Sequence, residues 1–184
     1  MTEAFFFLLS SLIKLYLMVV LLRIWLQSAK ADFYNPFSQF VVKATNPAIV
    51  PLRRFLPSMG PVDTASWIFA FAICVLHVAI VQLLQLGQVL YIYLPLSALV
   101  LLITEALQLA FWILVIRALL SWFSQGRNPV ELVMHQLTEP LLRPVRRVVP
   151  VMGGLDLSLL VVLLGIQFIP VSYTHLTLPT TPYV

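Results

Sequence analysis

Apolar residues fill four stretches of the chain, and polar, proline-rich segments separate them. Residues 5–25 carry two charges, Lys14 and, near the end, Arg23, and residues 65–86 carry none. Residues 89–123 are broken by charge or proline only at Pro95, Glu105 and Arg117. A helix crosses a hydrocarbon layer of ~30 Å with about 20 apolar residues, so each of these three stretches is predicted to span. Residues 157–169 begin a fourth span that stops short. No Gly, Pro or Asn lies between Leu96 and Phe123 to turn a hairpin. The third stretch is therefore expected to cross once, with residues 89–96 as an interfacial lead-in.

The polar segments repeat each other. The first runs Asn35-Pro36, Thr45-x-Pro47-x₃-Pro51-x-Arg53-Arg54-x₂-Pro57-x-Met59-Gly60-x₂-Asp63; the second runs Asn128-Pro129, Thr138-x-Pro140-x₃-Pro144-x-Arg146-Arg147-x₂-Pro150-x-Met152-Gly153-x₂-Asp156. Eleven of the 29 positions recur at an offset of 93. The chain thus reads as two copies of one unit. Residues 1–86 hold span 5–26, connector 27–64 and span 65–86; residues 87–170 hold span 97–123, connector 124–156 and partial span 157–169.

Within each connector, Asn35 or Asn128 can cap a helix whose first residue, Pro36 or Pro129, loses nothing by lacking an N–H. Phe37, Phe40, Val41 and Ala44, or Val130, Val133, Met134 and Leu137, then form an apolar stripe. Ser38, Gln39 and Lys43, or Glu131, His135 and Gln136, take the other face. This predicts an amphipathic helix along the headgroups. Pro47 and Pro140 are expected to end it. A second short element, residues 51–57 or 144–150, would then carry the arginine pairs. Gly60 and Gly153 would allow a reversal, and Asp63 and Asp156 would cap the following spans.

Composition agrees with a membrane protein: 184 residues, 61% hydrophobic and 10% charged, with a mean hydropathy of +0.99. Residues 5–25 lack a basic leader and a small-residue cleavage site, and so read as a retained helix. Eight of the eleven Lys and Arg lie in the connectors: Lys30, Lys43, Arg53, Arg54, Arg127, Arg143, Arg146 and Arg147. The positive-inside rule then puts both connectors in the cytoplasm and makes the repeats parallel. The fold class expected is an all-α membrane protein of about four transmembrane helices.

The tail, residues 171–184, breaks every pattern before it. Its Ser-Tyr-Thr-His-Leu-Thr-Leu-Pro-Thr-Thr string matches the in-frame translation of a transposase sequencing adapter. It is expected to be non-native read-through, leaving the fourth helix truncated.

Residues 35–40, 51–57, 137–147 and 152–156 resemble the YGGT family of bacterial inner-membrane proteins in its two-repeat form. The resemblance covers residues 2–169. It implies a multi-pass protein of the inner (cytoplasmic) membrane without an established catalytic activity. It also implies loose links to osmotic or ion homeostasis and cell division, and, in chloroplast relatives, to assembly of a b-type cytochrome complex. No catalytic motif comes with it.

Candidate chemistry sits at the intramembrane polar residues Lys14, His77 and Glu105. Lys14 and Glu105 fall within about 4.5 Å of the same depth if their helices run alike. They either pair, or Lys14 snorkels while Glu105 bonds a neighbour. His77 reads as a haem ligand or proton relay, or as a packing residue. Cys74 is the single cysteine and reads as packing. Arg53, Arg54, Arg143, Arg146 and Arg147 are expected to meet anionic headgroups or a protein partner, against the plainer reading of topology alone. No Walker loop or His-Glu-x-x-His occurs. Neither enzyme activity nor a cofactor, metal or nucleic-acid partner is expected. Two roles remain: a scaffold or assembly factor holding anionic lipid and a membrane-protein partner or second copy, and a component of an ion or osmolyte pathway.

Overall fold

The computed structural model describes residues 2–56, 63–123, 128–149 and 157–177. Gly60, Gly153, Asp156, Pro57, Pro150 and residues 178–184 lie outside them. The described residues are all helical, without a strand: α1 (Thr2–Ser28), α2 (Pro36–Arg53), α3 (Thr64–Leu86), α4 (Leu94–Phe123), α5 (Pro129–Arg146) and α6 (Leu157–Thr177). Ala4–Ser28, Thr64–Leu86 and Leu94–Ser121 are long and apolar enough to cross a membrane, and Leu157–Ile169 is a shorter apolar segment. This is an all-α membrane protein with three helices of spanning length among the described residues.

α4 is one unbroken helix, so the third apolar stretch contains no reversal. It follows a tight turn in which the Tyr93 and Leu94 N–H groups both donate to the Leu90 carbonyl. α3 ends at Gly87, whose φ of +68° is the left-handed conformation that glycine adopts without a Cβ penalty. α1 closes the same way without a glycine. Ala31 N–H donates to the Leu26 carbonyl and Lys30 N–H to that of Gln27, a Schellman motif with Lys30 at φ 50°.

Three expectations are corrected. The connector helices do not stop at Pro47 and Pro140. α2 runs through Pro47 and Pro51 to Arg53, and α5 through Pro140 and Pro144 to Arg146. The separate arginine-bearing element is their last turn. An interior proline loses a helical hydrogen bond and crowds the carbonyl four residues back, at a cost of about 3 kcal/mol. The apolar part of α6 is Leu157–Ile169, as expected, and the helix itself runs on to Thr177.

The third correction concerns the faces of α2. Its buried residues are Ser38, Val41, Thr45 and Ile49, while Phe40 is 65% exposed. Ser38, expected on the polar side, is fully buried. Small residues let helices approach closely where lipid offers no hydrophobic drive of its own. α2 packs on both α1 and α3, and α3 presents Ala65, Ser66 and Ala70 buried. The larger Phe40 is thereby turned outward.

Packing divides the chain inside α4, between Leu109 and Ala110. In the first unit, α1 buries Leu17, Val20, Leu21 and Ile24, and α3 buries Ile73, Cys74 and His77. Tyr16 and Phe69 meet edge to face at 6.1 Å between ring centroids. In the second unit, α5 packs on α6 and buries Val133, Met134, Leu137, Thr138 and Leu142.

Candidate functional site

Each connector starts as its sequence dictates. Asn35 Oδ1 accepts from the Phe37 N–H and Asn128 Oδ1 from the Val130 N–H, both at 3.0 Å. Pro36 and Pro129 occupy the first turn.

The next feature is a clasp between span and connector. Arg23 near the end of α1 is 2% exposed. Its Nη1 donates to Thr45 Oγ1 at 2.6 Å, to Asn46 Oδ1 at 2.8 Å and to the Val42 carbonyl at 3.3 Å. Thr45 Oγ1 in turn lies 2.8 Å from the Val41 carbonyl and 3.2 Å from that of Val42. Together they add side-chain donors to the Val41 and Val42 carbonyls, in the turn just ahead of Pro47. A charged donor gives hydrogen bonds roughly twice as strong as a neutral one, which suits a guanidinium buried here. The second unit repeats the device: Arg117 Nη1 donates to the Oγ1 of Thr138, two residues before Pro140, and that oxygen lies 2.7 Å from the Met134 carbonyl. As sequence alone, Arg23 and Arg117 read only as charges near the ends of their apolar stretches. The signal the sequence held was a repeated Thr-x-Pro downstream of each.

A second cluster ties α2 to the start of α3. Asp63 Oδ2 lies 2.5 Å from Arg53 Nη2, 2.6 Å from Ser66 Oγ and 3.4 Å from Gln27 Nε2. Asp63 therefore stands at the N-cap position but gives no side-chain bond to the α3 backbone, contrary to the expected cap. Burial alone would push its carboxyl up. Hydrogen bonds from Arg53 and Ser66, the Arg53 charge and the Gln27 contact outweigh burial and hold it below the ordinary carboxylate range.

The arginines thus fall into two sets. Arg53 is engaged by Asp63, and Arg146, 30% exposed, by Glu139 at 3.1 Å. Glu139 also lies 3.7 Å from His135 Nε2. Arg54, Arg143 and Arg147 are exposed, and Arg54 and Arg147 directly precede outward apolar side chains, Phe55 at 83% and Val148 at 82% exposure.

Inside the first unit, Lys14 Nζ and Glu105 Oε1 are 3.2 Å apart, with the lysine side chain half-exposed and the glutamate buried. His77 is buried with no partner on Nδ1, within electrostatic reach of both charges. Cys74, one turn away, feels Glu105. No group of three or more His, Cys, Asp or Glu among the described residues could hold a metal ion.

Apolar helices of spanning length, joined by short proline-bearing connectors clasped to them, define a polytopic helical membrane protein without a recognisable catalytic centre among the described residues. The chain belongs to the CCB3/YggT family, which it matches over residues 2–84 and again over 96–175. It is 56% identical over 167 residues to a Vibrio alginolyticus protein from the region 3′ of proC, covering 88% of this chain and 89% of that one. It is 51% identical to the Escherichia coli K12 protein YggT over 158 residues, 86% of this chain and 82% of the relative. A Pseudomonas aeruginosa relative is 41% identical over 172 residues, 92% and 87% of the two chains. No solved structure matches.

Proposed function

We propose that the protein is a noncatalytic scaffold or assembly factor of the bacterial inner membrane, whose connectors lie at the cytoplasmic face and hold anionic lipid together with a protein partner. The division of the arginines carries this reading. One of each repeated pair is spent on internal bonds, Arg53 with Asp63 and Arg146 with Glu139. Its neighbour, Arg54 or Arg147, is exposed next to an outward apolar residue, and Arg143 is exposed as well. An arginine beside an outward aromatic or aliphatic group suits the headgroup layer, where each cation near an anionic leaflet contributes about 1 kcal/mol. The test is lipid analysis of polymer-excised native membrane discs. The wild type should enrich anionic lipid over the bulk membrane, and R54Q/R143Q/R147Q should return to the bulk ratio at unchanged protein level. Equal enrichment in both would contradict the reading.

The Lys14–Glu105 pair beside His77 favours a second reading, a component of an ion or osmolyte pathway. Flux through purified protein in liposomes, lost in Glu105→Gln, would support it.

A further inference from the structure

A cleft of about 530 Å³ opens beside the first connector, lined by Phe33, Gln39, Val42, Lys43, Asn46 and Pro47. The volume falls in the range of small-molecule sites. Its polar groups come from one side of α2, since Gln39, Lys43 and Asn46 follow at i, i+4 and i+7. Lys43 is exposed and supplies the cationic group. Asn46 Oδ1 is already taken by Arg23, so what its amide has left to offer is the Nδ2 donor. Gln39 Nε2 reaches the Tyr34 carbonyl at 3.3 Å, which fixes the preceding turn against the helix. Pro47 has no N–H to give the Lys43 carbonyl four residues back. The Lys43 carbonyl therefore lacks its ordinary helical donor. Phe33, 43% exposed, adds an apolar edge.

Cation, amide donor, backbone acceptor and aromatic edge together match a phosphodiester that carries hydroxyl groups. A zwitterionic ethanolamine headgroup would set a second ammonium beside Lys43 and is disfavoured. We propose that this cleft binds the phosphoglycerol headgroup of an anionic glycerophospholipid. Lys43 and Asn46 hold the phosphate, and the Lys43 carbonyl receives a glycerol hydroxyl. The inference rests on the lipid-facing placement of the connectors proposed above, and it adds a discrete site that uses none of the outer arginines.

The test titrates the purified full chain in detergent with short-chain phosphatidylglycerol, short-chain phosphatidylethanolamine and water-soluble glycerophosphoglycerol, read by native mass spectrometry. A one-lipid state with phosphatidylglycerol should form ahead of the ethanolamine lipid. Lys43→Gln should weaken it roughly fivefold, the effect of one cation at a headgroup. Equal affinity of Lys43→Gln and wild type overturns the site, and so does equal binding of the two lipids. Displacement by glycerophosphoglycerol at matched concentration overturns the lipid as its ligand. R54Q/R143Q/R147Q separates the two proposals. If it loses bulk anionic enrichment while Lys43→Gln binds like wild type, the scaffold reading stands and the cleft site falls. If Lys43→Gln alone loses the one-lipid state, the cleft stands whatever the outer arginines do.

Discussion

Arg23 Nη1 donates to Thr45 Oγ1 across 2.6 Å, and through that bond the end of the first span holds the turn that precedes Pro47. The contact ties α1 to the turn of α2 just ahead of its first interior proline. Thr45 gathers the carbonyls of Val41 and Val42 from within the helix, and Arg23 reaches the Val42 carbonyl from α1. Arg117 and Thr138 repeat the bond in the second unit. In both units a span arginine is bonded to the connector helix just ahead of its first interior proline.

The Lys14–Glu105 ion pair should be separable from mere presence of two charges. Each single change, Lys14→Gln or Glu105→Gln, leaves the other charge without its counterpart in a mid-bilayer setting. Both should lower the melting temperature in detergent, and the swap K14E/E105K should recover most of the loss. A coupling of about 1 kcal/mol is expected, since Lys14 is half-exposed. Additive losses in the swap would deny the pair.

The Asp63 cluster sets an acid limit. Its folded carboxyl is held below the ordinary value of 3.8, so the ionised group contributes stability at neutral pH and down to about that value. The contribution is then lost as pH falls further through the depressed folded value. Thermal melts between pH 7 and 3 should show a drop confined to the acid end, and Asp63→Asn should flatten it while lowering the neutral-pH melting temperature. A wild-type drop centred near pH 6 would assign the acid sensitivity elsewhere.

Much of this architecture is legible in the sequence, and the exceptions share one cause. Asn35-Pro36 and Asn128-Pro129 announce helix starts because capping is local chemistry, and the unbroken α4 follows from residues 97–123 lacking a turn former. Lys14 and Glu105 could be placed at similar depth by counting. The passage of α2 through Pro47, the burial of Ser38 and the diversion of Arg53 to Asp63 are different. Each goes with a contact to another element: Arg23 of α1 bonded beside the proline turn, the packing of α2 on α1 and α3, and Asp63 for Arg53. A local reading assigns proline to a helix end, serine to a polar face and arginine to phosphate, because it cannot see the partner.

Lys30 tests the chain reversal after α1. It holds φ 50°, a conformation that disfavours side chains with a Cβ by about 1 kcal/mol or more. Lys30→Gly should raise the melting temperature slightly, and Lys30→Val, β-branched, should lower it. The opposite order would mean that the lysine side chain, not the backbone, governs the turn.

Topology follows from the repeat. Arg54→Cys and Arg143→Cys, each made in a Cys74→Ser background, should both label with an impermeant maleimide only after the cytoplasmic side is opened. Labelling of the two from opposite sides would turn the repeats antiparallel and remove the shared cytoplasmic surface.

The clasp itself is best tested by double-mutant cycles at both copies, pairing Arg23→Met with Thr45→Val and Arg117→Met with Thr138→Val, read as unfolding free energy in mild detergent. A buried, charge-assisted bond predicts a coupling of roughly 1.5–3 kcal/mol at each. Additive effects at either copy would mean that the connector prolines are accommodated without the span arginines, and that the two units do not share one mechanism.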